Sequence, residues 1–130
     1  MQGKITKHHI LYPHKLWQSL SGADKKRAAY LRGKFIIKLP EDLHALLHKE
    51  ADPALPDVIG KHIAPSSETL AKVYLCCRKA EDEVEAMTPA EKLEWLIERF
   101  DDGSQNSGWL LWNLRKQKQF LREMEGVQEG

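Results

Sequence analysis

Cysteine is scarce in this chain of 130 residues, and long apolar runs are absent. The two cysteines, Cys76 and Cys77, are adjacent and are poor candidates for a structural disulfide, which favours a reducing compartment. No stretch reaches the roughly 18 apolar residues that a membrane-spanning helix needs. No apolar segment of the kind found in secretory signals follows Met1. We therefore expect a cytoplasmic protein that does not enter a membrane.

The bulk composition is ordinary for a globular protein, with 42% hydrophobic and 30% charged residues. A chain of this length buries enough apolar surface for one hydrophobic core. We therefore predict a single domain over residues 1–130.

The net charge of +1 conceals two oppositely charged parts of the chain. Residues 1–38 contain nine Lys or Arg and one acid, whereas residues 39–106 contain seven basic and fifteen acidic residues. The basic part favours an anionic partner such as a nucleic acid, and the alternative is that it pairs with the acidic part of the same fold. On the first interpretation, the expected nucleic-acid contacts are Lys7, Lys15, Lys25, Lys26, Arg27, Arg32 and Lys34.

Apolar periodicity predicts two short strands followed by helices, which is an α+β fold that is mostly helical. The strands are expected over 4–11 and 34–39. The helices are expected over 14–20, 22–31, 40–50, 65–87, 89–100 and 109–125, with a break at 52–56 and a polar loop over 101–108.

Three local signals set helix ends in this prediction. Ser21 to Asp24 resembles a capping box, and Gly33 is expected to end the helix that follows it. Thr88 to Glu91 is a second capping box, with proline at the first helical position.

Four histidines carry the strongest functional signal. His8 and His9 end the first predicted strand, and His44 and His48 are four residues apart on the predicted helix that follows the second strand. Residues with this spacing share a helix face, so both imidazoles can reach one metal ion. The zinc-protease motif has the same spacing but needs glutamate after the first histidine, where this chain has Ala45.

The segments His8 to Pro13 and Ile36 to His48 together resemble the HNH, or His-Me finger, nucleases, which have a ββα-metal core. The resemblance covers roughly residues 4–50. It implies a ββα-metal-like core over 1–52, and the helical extension predicted over 65–130 lies outside the resemblance. It also implies a DNA endonuclease that binds one divalent ion, either zinc or Mg²⁺, Mn²⁺ or Ni²⁺.

The same resemblance implies roles for the individual histidines. His8, His44 and His48 would be the metal ligands, and His9 would be the general base that activates water. Since adjacent residues of a strand point to opposite sides, one imidazole of the doublet can bind metal while the other faces water. Three imidazoles with no obvious carboxylate ligand favour zinc over magnesium.

The chain departs from the family pattern at one position. The family has an asparagine before or within the second strand that braces the loop carrying the general base. Here Gly33 or Lys34 stands there, and no asparagine precedes Asn106. The connection between the strands is also long, since Gly33 follows His9 by 24 positions.

Two other functions therefore remain open. The first is a degenerate, non-catalytic ββα domain that binds nucleic acid or a protein partner. The second is a helical interaction protein with incidental histidines, for which His8 and His48 should lie too far apart to share an ion. The acidic helical half has several possible uses, including dimerisation through the C-terminal helices.

Overall fold

The computed structural model describes residues 4–12, 14–18, 20–51, 64–103 and 108–129, with backbone alone for 14, 15 and 125–129. The predicted break at 52–56 and part of the predicted loop at 101–108 lie outside the described residues. The two strands are β1 (Ile5–His9) and β2 (Ile36–Pro40). The helices are α1 (His14–Gln18), α2 (Gly22–Lys34), α3 (Glu41–Ala51), α4 (Ser67–Lys79), α5 (Glu81–Ala86), α6 (Pro89–Phe100) and α7 (Gly108–Glu129). The prediction of an α+β, mostly helical fold is confirmed.

The two strands form an antiparallel sheet in which His8 lies opposite Ile37 and Lys7 lies opposite Lys38. Because side chains alternate across a strand, His8 and Ile37 face the protein interior, and Lys7 and Lys38 face outward. A backbone bond of 2.7 Å from the amide of Glu41 to the carbonyl of Lys4 joins the start of α3 to the start of β1. This bond positions α3 beside the inner face of the sheet.

Helix α2 begins at Gly22 as predicted, but its capping interaction and its end differ from the prediction. The Ser21 side chain makes no capping bond, and Gly22 enters the helix with a φ of +58°. Asp24 cannot complete a capping box, since its carboxylate pairs with Arg27 and accepts a bond from the Ser67 hydroxyl. At the other end the helix continues through Gly33 because the fully buried Phe35 donates its amide to Leu31.

The prediction of one continuous helix over 65–87 is wrong, because α4 ends at Lys79 and α5 begins at Glu81. Ala80, between them, has φ −118° and ψ 30°, and its amide bonds to the carbonyls of Cys76 and Cys77. The change of direction lets Glu81 and Glu85 both reach Lys34, at 2.9 and 2.7 Å. Long-range ion pairs therefore accompany a break that periodicity did not indicate.

One hydrophobic cluster joins the N-terminal and C-terminal halves. α7 packs against both α6 and α3, and α2 packs against α4. The cluster includes, from both halves, Leu11, Phe35, Leu47, Leu70, Leu96, Phe100, Leu110 and Leu114. Among the described helices none is long and apolar enough to cross a membrane.

The two capping sequences give a matched stability prediction. Thr88 accepts a bond from the amide of Glu91, whose carboxylate accepts one from the amide of Thr88, so this capping box is confirmed. Thr88→Ala should lower the free energy of unfolding by about 1 kcal/mol. Ser21→Ala should change it by less than about 0.5 kcal/mol, since no capping bond is lost. Urea unfolding checks both, and equal losses would contradict the assignment.

Candidate metal centre

The inner face of the sheet and one face of α3 bring three histidine rings together. His8 is fully buried on β1, and His44 and His48 are partly buried on α3, one turn apart. The centroid of the His8 ring lies 4.8 Å from that of His44 and 5.2 Å from that of His48. The wide separation of His8 and His48 expected for incidental histidines is therefore not found.

Ring nitrogens from all three side chains converge on one point. Nδ1 of His8 lies 3.0 Å from Nε2 of His44, which lies 3.1 Å from Nε2 of His48. One ligand atom from each residue can be chosen so that all three lie within 4.8 Å of one another. Zinc–nitrogen bonds of about 2.0–2.1 Å at tetrahedral angles place neighbouring nitrogens roughly 3.3 Å apart. Two of the separations are close to this value, so the three imidazoles could hold a small divalent ion.

A glutamine from the far end of the chain contacts His8. Nε2 of His8 lies 2.8 Å from Oε1 of Gln117, which is fully buried on α7. The Gln117 amide nitrogen donates to the carbonyl of Ile10 at 3.0 Å and to Oδ1 of Asn113 at 2.8 Å. The histidine is thereby held to α7 across 109 positions of sequence.

Asn113 connects this hydrogen-bond network to Tyr12, an aromatic residue that contacts two of the histidines. Its amide nitrogen donates to the hydroxyl of Tyr12 at 2.9 Å and to the carbonyl of Ala51 at 3.4 Å. The Tyr12 ring stands edge-on to His48, with centroids 4.3 Å apart, and lies 5.3 Å from the His8 ring. Tyr12 thus restricts the rings of both histidines.

His44 has a polar neighbour of its own on β1. Its Nδ1 lies 2.8 Å from the hydroxyl oxygen of Thr6, which donates to the carbonyl of Leu39 at 2.9 Å. Metal-binding histidines commonly bond through their second nitrogen to a polar group that fixes the ring. His8 and His44 both have such a partner here.

Burial favours the neutral form of both of these histidines. Burial lowers the pKa of His8 to about 4, against the opposing effect of the Gln117 bond and with added repulsion from His44 and His48. The pKa of His44 is also lowered, by burial and by the neighbouring His48 and His9. Neutral imidazole is the form that binds metal.

His9 does not join the converging rings. It is exposed, whereas its neighbour His8 is fully buried, as strand alternation requires. Its charge nevertheless affects the pKa values of both His8 and His44, so it lies near the cluster. The doublet thus separates into one interior and one surface imidazole.

The seven basic residues predicted to contact nucleic acid have different surroundings. Lys7, Lys25 and Lys26 are exposed, and the side chain of Lys15 lies outside the described residues. Three others have partners within the fold: Arg27 pairs with Asp24, Arg32 Nε donates to the carbonyl of Leu11, and Lys34 pairs with Glu81 and Glu85. For Lys34, the pairing with the acidic half is therefore observed.

Sequence reasoning missed the roles of four residues around the histidines, namely Thr6, Tyr12, Asn113 and Gln117. A signal for two of them was present, since Asn113 and Gln117 are four residues apart beside the apolar positions Leu110 and Leu114. Two amides within an apolar helix face indicate a polar partner inside the core.

No family model, no curated protein and no solved structure matches this chain. The likeness to HNH nucleases therefore rests on the order of the four histidines alone.

The converging nitrogens predict one bound zinc ion per chain. Protein dialysed against micromolar zinc should retain one equivalent by elemental analysis. His48→Ala should weaken zinc binding by more than about 100-fold. Loss of a hydrogen-bond partner of a ligand lowers metal affinity by up to about 100-fold, and loss of the ligand itself should lower it further.

His9→Ala is the matched control, because it removes an imidazole that lies outside the cluster. It should retain one equivalent of zinc. Wild-type protein that retains no zinc, or equal losses in both variants, would contradict the assignment.

Proposed function

We propose that this protein is a metal-dependent endonuclease of the HNH type that hydrolyses phosphodiester bonds of DNA. The observation that supports it best is the convergence of His8, His44 and His48, with nitrogens 3.0 and 3.1 Å apart. His8 lies on β1, and His44 and His48 lie on α3, which follows β2 directly. Two paired strands followed by a helix is the order of the ββα-metal arrangement, although here α1 and α2 stand between the strands.

The donor set suits a late divalent ion. Three imidazoles form the cluster, and neutral nitrogen ligands favour zinc or nickel over magnesium. With three protein ligands, a tetrahedral ion keeps one open position, as catalytic zinc sites do. When bound, the ion would supply a Lewis acid that stabilises negative charge on the phosphate.

His9 is the residue that we propose as the general base. It is an exposed imidazole next to a proposed ligand, and histidine is the side chain that most often transfers protons near neutral pH. The His9 side chain projects from the outer face of β1, whereas the proposed metal ligands lie at the inner face. The scissile phosphate would therefore have to lie at the edge of the sheet, within reach of both faces. The edge of β1 is therefore the proposed cleavage position.

The outer face of the sheet is the proposed DNA contact. Lys7 and Lys38 are exposed and directly opposite each other, and His9 follows two residues after Lys7. Like charges directly opposite on neighbouring strands destabilise a sheet. A phosphate backbone lying across this face would offset that repulsion.

A second function has its own support. The outward position of His9 and the absence of the family asparagine favour a non-catalytic domain that binds metal and nucleic acid or a protein partner. Such a protein would retain zinc without cutting DNA.

A nicking assay separates the two functions. Supercoiled plasmid is incubated with the protein and Zn²⁺, Ni²⁺, Mn²⁺ or Mg²⁺, and conversion to the open circle is followed on gels. His9→Ala should slow nicking by about 10²–10⁴-fold, the usual contribution of a general base. Equal nicking rates in wild type and His9→Ala would remove His9 from this role. Zinc-loaded protein that does not cut DNA with any of the four ions would favour the non-catalytic function.

The outer lysines predict the salt dependence of DNA binding. The double variant Lys7→Glu, Lys38→Glu should bind DNA more weakly, and the slope of log affinity against log salt should fall by about 2. Lys72→Glu with Lys79→Glu makes the same charge change at exposed positions of α4 and should have a smaller effect. Similar losses in both variants would show that net charge, and not this face, governs binding.

A further inference from the structure

The hydrogen bonds of Gln117 determine which nitrogen of His8 carries a proton. The carbonyl of Ile10 can only accept, so the Gln117 group that lies 3.0 Å from it must be the NH₂ group. Its oxygen therefore faces Nε2 of His8, and a carbonyl oxygen at 2.8 Å requires an N–H donor. His8 is thus protonated at Nε2, and its Nδ1 carries a free lone pair.

Thr6 determines the tautomer of His44 by the same reasoning. The Thr6 hydroxyl has one proton, which it donates to the carbonyl of Leu39 at 2.9 Å. Its oxygen can then only accept from Nδ1 of His44 at 2.8 Å. His44 is therefore protonated at Nδ1, and Nε2 carries the lone pair.

In the neutral rings, these two assignments leave two acceptor nitrogens facing each other, an arrangement that a bound cation would stabilise. Nδ1 of His8 and Nε2 of His44 are 3.0 Å apart, and both present lone pairs. Two acceptors at hydrogen-bond distance with no proton between them repel each other. The other nitrogens of these two rings contact Gln117 and Thr6, and Nε2 of His44 also lies 3.1 Å from Nε2 of His48.

We propose that Gln117 is a positioning residue that makes Nδ1 the ligand atom of His8. The metal would then be bound by Nδ1 of His8 and by Nε2 of His44 and His48. This inference rests on the proposed metal centre and adds α7 to it. Since Gln117 and Asn113 are both fully buried, the helix holds the ligand rigidly in place.

Coupling between α7 and the metal follows from this arrangement. If Gln117 favours the metal-binding tautomer and rotamer of His8, bound metal favours the docked position of α7 by the same factor. Loss of an outer-shell partner lowers metal affinity by about 10–100-fold. The C-terminal helix would then be part of the binding site and not a separate extension.

The test uses nitrogen NMR of protein labelled with ¹⁵N histidine, in which the two neutral tautomers give different long-range couplings. In metal-free wild-type protein, His8 should be protonated at Nε2 and His44 at Nδ1. On addition of zinc, the resonances of His8 Nδ1 and His44 Nε2 should shift to metal-bound positions. His8 protonated at Nδ1, or bound through Nε2, would overturn the inference.

Variants test the positioning role in the same protein. Gln117→Leu should weaken zinc binding by about 10–100-fold in competition with a chromophoric chelator and should leave His8 as a mixture of tautomers. Gln119→Leu changes an exposed glutamine of the same helix and should alter neither measurement. Equal zinc affinity in Gln117→Leu and wild type would overturn the role of Gln117.

A third variant covers the case in which Gln117→Leu does not fold. Thr6→Val keeps the shape of a partly buried side chain and removes the acceptor for His44. It should therefore weaken zinc binding and leave His44 as a mixture of the two neutral tautomers. Wild-type protein with no affinity for zinc would contradict both the proposed metal centre and this inference, whereas zinc bound through Nδ1 of His8 in a protein that does not cut DNA would contradict the proposed function alone. Zinc bound through Nε2 of His8 would contradict this inference alone.

Discussion

The structure depends on covering the inner face of a sheet that has two strands. A two-stranded sheet is marginal in water and needs a helix packed against it. Here α3 follows β2 directly, α7 packs against α3, and Gln117 of α7 bonds to His8 on the inner face. The position of His8 between these elements makes the burial of an imidazole unavoidable. The conformation of the C-terminal half is therefore tied to the candidate site.

Burial of polar side chains imposes the second constraint. An unsatisfied buried donor or acceptor costs about 1–3 kcal/mol, so the polar groups around His8 must be bonded. Gln117 and Asn113 meet this requirement, since both are fully buried and both donate to backbone carbonyls. The facing nitrogens of His8 and His44 are the exception, and a divalent ion is the group that we propose to resolve it.

Some basic residues of the N-terminal segment form ion pairs within the fold, and others are exposed on its surface. Lys34 is held between Glu81 and Glu85, and the hydroxyl of Tyr30 also donates to Glu81 at 2.7 Å. Part of the positive charge of the N-terminal segment therefore joins α2 to α5. Lys7 and Lys38 remain exposed on the outer face of the sheet, next to His9. The positive charge available to an anionic partner is thus smaller than the sequence alone suggests, and Lys7 and Lys38 place part of it beside His9.

Local sequence was sufficient for features that depend on neighbouring residues. It predicted most elements, the Thr88 capping box, the shared face of His44 and His48, and the opposite orientations of His8 and His9, because these follow from helix and strand periodicity. It did not predict the break at Ala80 or the continuation of α2 through Gly33, which accompany long-range contacts and the burial of Phe35. Strand alternation alone did not decide which imidazole of the doublet faces inward, and the tertiary structure shows that it is His8 and that Gln117 contacts it. The reason is that these contacts join residues about one hundred positions apart, and burial against a distant helix leaves little trace in the residues nearby.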